Sequence, residues 1–179
     1  GNLRSVENAF SNAVTDNNLN CKIRVTSDIH IIANADFLVL PGVGSFPDCK
    51  KGLQNIEGLI DILSEQVLFK KKKFLGICVG MQLMFDYSLE KIKTSGFGWL
   101  SGNFNKIKTF GLDYLGRDFK VPHMGWNNLL LENDNHPILR HISEKDQYYF
   151  VHSYYLEGNK TNQLIASTNY CHQIPAIVG

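Results

Sequence analysis

The run Lys73-Phe-Leu-Gly-Ile-Cys78-Val-Gly-Met-Gln82 places a thiol where covalent chemistry could use one. A short apolar stretch, Phe74 to Ile77, leads straight into Cys78, with Gly76 two residues before it and Gly80 two residues after. A helix-like stretch follows. Gly-x-Cys-x-Gly at a strand end is the cysteine form of the nucleophile elbow, a tight turn between strand and helix. Such a turn forces its central residue into a strained backbone conformation. Side chains two residues either side would collide with the neighbouring strand or helix, hence the glycines. A thiol at a helix start meets unpaired N–H groups and the positive end of the dipole, which favour the thiolate. The N–H of Val79 can then receive an oxyanion. A lone cysteine is more often buried and inert. Two glycines in register behind an apolar run move the reading to a nucleophile.

A thiol nucleophile also needs a base and a group to orient that base. The six histidines are His30, His123, His136, His141, His152 and His172. His152 lies on an apolar strand, the usual setting of a core histidine. The only His-Pro pair, His136-Pro137, is followed by Ile138. The four cysteines, Cys21, Cys49, Cys78 and Cys171, are widely spaced. That spacing argues against a zinc site and a disulfide framework, and suits a reducing cytosol. No metal or cofactor is expected, and the expected location is cytoplasmic.

Lysine plus arginine is 18 and aspartate plus glutamate is 17, a balance that gives no electrostatic case for nucleic acid or an anionic membrane. No apolar run approaches the ~20 residues that span a bilayer. No signal-peptide pattern is visible.

The elements that must position Cys78 read as strand–helix alternation. Leu3, Val6, Phe10 and Ala13/Val14 recur at helical spacing, with Asn2 as N-cap. Cys21 to Val25 is a short candidate strand. Asp36-Phe-Leu-Val-Leu-Pro41 reads as a buried parallel strand ended by Pro-Gly. Leu53, Ile56, Ile60, Leu63 and Val67 predict a helix over 53–69, with Lys70 to Lys73 closing it. Phe74 to Ile77 is the next strand and 79–88 the next helix. An α/β fold with parallel strands follows. Beyond about residue 95, glycines cluster and β-branched and aromatic residues fill short segments: 103–109, 118–121, 126–131, 147–156, 163–168 and 174–178. That half reads as strands and hairpins, partly antiparallel. No linker splits the chain, so 1–179 reads as a single domain.

Gly76-Ile-Cys78-Val-Gly-Met-Gln82, taken with Pro41-Gly-Val-Gly-Ser-Phe46, resembles the class I glutamine amidotransferases. Three further stretches narrow the resemblance: Gly1-Asn-Leu-Arg-Ser-Val6, Val121-Pro-His-Met-Gly-Trp-Asn127 and Tyr149-Phe-Val-His-Ser-Tyr-Tyr155. Together they are similar to the glutaminase subunit or domain of imidazole glycerol phosphate synthase, over nearly the whole chain. The resemblance implies a flavodoxin-like parallel sheet flanked by helices, with an antiparallel strand-rich C-terminal half. It implies hydrolysis of glutamine to glutamate and ammonia. The ammonia would pass to a (β/α)₈-barrel cyclase partner, separate or fused, making imidazole glycerol phosphate in histidine biosynthesis.

Residue by residue, the resemblance implies Cys78 as nucleophile and Gly42, Val43 and Val79 as the oxyanion segment. Gly44, Gln82, Ser153 and Tyr154 match substrate-binding positions. His123, Met124 and Trp126 match a stretch near the partner interface. Standing alone, Pro41-Gly-Val-Gly is a strand-ending turn, Gln82 a solvent-facing helix residue and Ser153-Tyr154 ordinary strand. The family has leucine at the Val79 position, a mild change because the N–H is the functional group. Its base and orienting residue come from a His-Pro-Glu motif near the C-terminus, and this sequence has none. Its apolar strand before Gly-Asn is also missing here. The expectation is therefore a domain lacking its first strand and its C-terminal catalytic segment, inactive as the 179-residue chain. Two other functions fit the sequence: an amidotransferase domain of another synthase, or a non-catalytic domain that only activates a cyclase.

Overall fold

The computed structural model describes residues 3–113, 115–133, 135–157 and 163–179. Two compact units are present: residues up to Phe85 together with 94–99, and residues 86–93 with 100–179.

The first unit is built on a parallel strand pair. β1 (Phe37–Gly42) runs beside β2 (Lys73–Cys78) from Phe37↔Lys73 to Gly42↔Cys78. Before it stand α1 (Leu3–Asp16) and α2 (Ile29–Asn34). The Asn2 cap lies outside the described residues. α1 follows the expected spacing, yet none of its side chains is buried. α2 was not foreseen; the Asp28 carboxylate accepts from the N–H groups of His30 and Ile31, an ordinary N-cap. The strand expected at Cys21–Val25 is irregular backbone. Val25 is 52% exposed and the segment has no ladder partner among the described residues, so strand-favouring residues alone do not make it a strand.

The helix expected over 53–69 is two helices and a break. α3 (Phe46–Gln54) is capped by Ser45, and α4 (Leu59–Ser64) passes into a π-helical turn, Glu65–Phe69. Between them Gly58 adopts φ +72° at the N-cap of α4, a left-handed conformation that interrupts the helix. Apolar spacing continues across the break because both helices bury the same side. Ile32, Leu38, Leu59 and Leu63 form one core cluster, with Phe74 and Trp99 against it. Phe46, Val79 and Leu83 form a second, packed by Leu40, Cys49 and Phe97. β1 is only half-buried, with Phe37 and Val39 exposed.

α5 (Val79–Gln82) is one turn long, shorter than the expected 79–88. The carbonyls of Leu83, Met84 and Phe85 instead accept the N–H groups of Phe97, Trp99 and Gly98, which draws the chain out of the helix. β4 (Thr94–Ser95) precedes that segment.

The second unit is strand-rich. β3 (Tyr87–Ser88) pairs parallel with β5 (Asn103–Lys106), and β5 pairs antiparallel with β9 (Tyr154–Glu157). β6 (His123–Asn128) pairs antiparallel with β8 (Gln147–His152). β10 (Leu164–Tyr170) lies between β7 (Leu130–Leu131) and β11 (His172–Val178), antiparallel to both. The expected strand at 118–121 reduces to a single bridge, Leu112↔Asp118. Fully buried Thr168 donates its hydroxyl to the Asn128 carbonyl at 2.9 Å, and Ser167 donates to Glu132 at 2.8 Å, so these polar groups are satisfied in the core.

Candidate active site

Cys78 ends β2 and opens α5 with φ +55° and ψ −118°, a strained region for a residue with a β-carbon. Three glycines lock it there. A β-carbon on Gly80 would stand 1.8 Å from the Leu40 carbonyl oxygen, and one on Gly76 would stand 2.6 Å from Met81 backbone. One on Gly42 would meet the Gly80 nitrogen at 2.6 Å. The elbow read from Gly-x-Cys-x-Gly is therefore a true turn, and Gly42 belongs to it as the register partner of Cys78. The Cys78 residue is exposed. The helix dipole expected to favour its thiolate shrinks to the one turn of α5, since the dipole effect grows from aligned peptides.

Val43 follows Gly42 and is exposed, while Gly44 adopts φ +83° with open space beside it. Ser45 then caps α3. Val79 is buried beneath the elbow. Gln82 is 8% exposed, so the solvent-facing alternative for it does not hold. Cys49, half-buried on α3, has its thiol pushed above its usual range by burial, with Cys78 adding to the effect. Lys50, buried on the same helix, donates to the Gly96 carbonyl at 2.8 Å and lies over the Phe97 ring; burial lowers its pKa. Lys50 was missed; its only sequence signal is a charged pair, Lys50-Lys51, on an amphipathic helix.

In the second unit, Ser153 joins β8 to β9 and its carbonyl accepts from Ile107 N–H at 2.9 Å. Tyr154 pairs with Lys106 in β9. β6 and β8 present a two-sided ribbon. Met124↔Val151 and Trp126↔Tyr149 face out, each residue more than half exposed. His123 does not share that face. It is 3% exposed, its ring stacked on Phe150 and on Tyr170, and its Nδ1 is 3.0 Å from Nε2 of His152. His152 Nδ1 in turn lies 3.0 Å from the Tyr154 carbonyl oxygen. His152 is thus the satisfied histidine expected, but its partner was not foreseen.

The remaining histidines have local roles. His136 caps the 3-10 turn Pro137–Leu139 by accepting from Ile138 N–H. His172 lies against Phe110, Tyr155 and the Cys171 sulfur. His30 opens α2 and His141 is exposed. Among the described residues no group of three or more His, Cys, Asp or Glu could hold a metal ion, and no helix is long and apolar enough to cross a membrane.

With this fold and elbow in place, the chain belongs to the class I glutamine amidotransferase family, whose description, glutamine amidotransferase class-I, matches residues 2–179. It is 39% identical to a Brucella suis biovar 1 protein named imidazole glycerol phosphate synthase subunit HisH, over all of this chain and 82% of that protein. The HisH proteins of Rhodospirillum rubrum and Ruegeria pomeroyi are 39% and 41% identical, each over all of this chain and 81% of their own length.

Proposed function

We propose that this chain carries the nucleophile for hydrolysis of glutamine to glutamate and ammonia, and that the ammonia serves imidazole glycerol phosphate synthesis in histidine biosynthesis. The likeness to the HisH subunits over the full chain supports this, as does the class I amidotransferase fold. The observation that carries the chemistry is the Cys78 backbone, held at φ +55° between glycines that leave no space for a β-carbon. A protein keeps such strain where a side chain must stand clear of its own backbone.

In the proposed reaction, the Cys78 thiolate attacks the glutamine carboxamide carbon. The Val79 N–H and the Gly42–Val43 peptide receive the developing oxyanion. The oxyanion collapses, the C–N bond breaks as the nitrogen takes up the proton released when the Cys78 thiol ionised, and ammonia leaves a thioester behind. Water then cleaves the thioester, releasing glutamate and regenerating the thiol. Gly44 and Gln82 are assigned to glutamine, and the Ser153–Tyr154 backbone to its α-amino and α-carboxylate groups. The base role is given to none of the six histidines, because the family's base belongs to a His-Pro-Glu motif absent from these residues.

A (β/α)₈-barrel cyclase is the proposed partner, docking on the outer face of β6 and β8. Met124 and Trp126, with Tyr149 and Val151, expose an apolar patch there. His123 supports that ribbon from beneath rather than touching the partner.

The test separates the two nitrogen sources. In the complete gene product with its cyclase, Cys78→Ala abolishes glutamine-dependent synthesis and leaves ammonia-dependent synthesis largely intact. Retained glutamine-dependent synthesis overturns the proposal.

A further inference from the structure

The register of β6 and β8 sets His123 directly opposite His152, and both rings turn to the covered side of the ribbon. Their hydrogen bonds admit one neutral arrangement. The Tyr154 carbonyl can only accept, so His152 Nδ1 carries the hydrogen. Neutral His152 then has a bare Nε2, which accepts from the Nδ1–H of His123. A directed chain results, from His123 to His152 to the Tyr154 carbonyl. Phe150 and Tyr170 hold the donor ring from its two neighbouring strands, at centroid distances of 4.9 Å and 4.0 Å. Burial keeps His123 neutral at pH 7, its pKa lowered to about 4, and His152 is lowered for the same reason.

The far end of this chain is the peptide after Tyr154. The peptide before it is fixed separately, by Ile107 N–H on the Ser153 carbonyl. These two anchors fall on consecutive residues, Ser153 and Tyr154, at the step from β8 into β9. We infer that His152, oriented by His123, is a positioning residue that fixes the Ser153–Tyr154 backbone in its glutamine-binding orientation. The inference rests on the assignment of that backbone to glutamine made above. The role inferred for both histidines is positional, not chemical.

The experiment uses the complete gene product with its cyclase and reads KM for glutamine against kcat. His152→Leu removes both hydrogen bonds. Loss of a buried donor to a carbonyl raises KM about tenfold, with kcat little changed. His152→Asn restores a donor near the Nδ1 position and returns KM toward the parent value. His123→Phe keeps the stacked ring but withdraws the Nδ1–H, and raises KM by about threefold. A KM unchanged in both His152→Leu and His123→Phe overturns the inference, as does a kcat loss with KM constant. A second measurement separates this from failure of the underlying assignment. In the Cys78→Ala protein, glutamine should slow amide exchange at Ser153 and Tyr154. Slowed exchange with unchanged KM values defeats the positioning role alone; no slowing defeats the substrate assignment and the inference with it.

Discussion

Gly80 passes so close to Leu40 that a β-carbon at position 80 would sit 1.8 Å from the Leu40 carbonyl oxygen. That contact binds the first turn of α5 to β1 and sets the angle at which Cys78 leaves β2. Gly80→Ala must therefore push α5 off the strand, because backbone, unlike a flexible side chain, cannot yield. The expected loss of stability exceeds the ~1–3 kcal/mol of ordinary overpacking. Thermal melting checks it, and a variant that melts with the parent would show that the elbow tolerates a wider turn.

Trp126 is 67% exposed and paired across the ribbon with Tyr149. Truncating a core tryptophan costs ~3–5 kcal/mol, whereas a surface change stays within ~0.5 kcal/mol. Trp126→Ala should shift the melting temperature little. It should weaken cyclase binding, or uncouple glutamine hydrolysis from synthesis, since exposed aromatic anchors concentrate interface energy. Titration of the two proteins against each other reads this; unchanged affinity and coupling would remove Trp126 from the interface.

Acid should destabilise the fold through His123. Its folded pKa is depressed to about 4 from an ordinary 6.5, so between those values the unfolded chain binds more protons than the native one. Stability from this group is complete above pH 6.5 and falls as pH drops toward 4. His152 is shifted the same way. His123→Phe should melt with a shallower pH slope across that window than the parent. Equal slopes would mean that the histidine is already charged in the native state.

The 179-residue polypeptide should show little glutaminase activity, because it holds no His-Pro-Glu. General-base assistance is worth ~10²–10⁴-fold. Robust turnover by this polypeptide, its mass verified, would place the base on one of its own six histidines.

The chemistry of this chain is more legible in the sequence than its helix boundaries are. Gly76, Cys78 and Gly80 announce the elbow because only glycine fits its contacts, a purely local demand. The break at Gly58 is hidden, since apolar spacing records which side is buried and not the value of φ. The early end of α5 is hidden too, because residues 97–99, from beyond β4, take up the carbonyls of Leu83, Met84 and Phe85 that follow it. The His123–His152 pair depends on strand register, which neither Pro-His-Met nor Val-His-Ser reveals alone. The exposure of Trp126 likewise follows from the face of β6 that it occupies, which the sequence alone does not name.

Cys78 is the proposed nucleophile. Burial pushes the Cys49 and Cys171 thiols up, which leaves them protonated and slow, while Cys78 stands exposed at the elbow. The direct measurement is labelling of the complete gene product with an electrophilic glutamine analogue, followed by peptide mass mapping. One label per chain on Cys78, suppressed by added glutamine, is the expected result. Label spread evenly over Cys21, Cys49, Cys78 and Cys171, with no protection by glutamine, would contradict it.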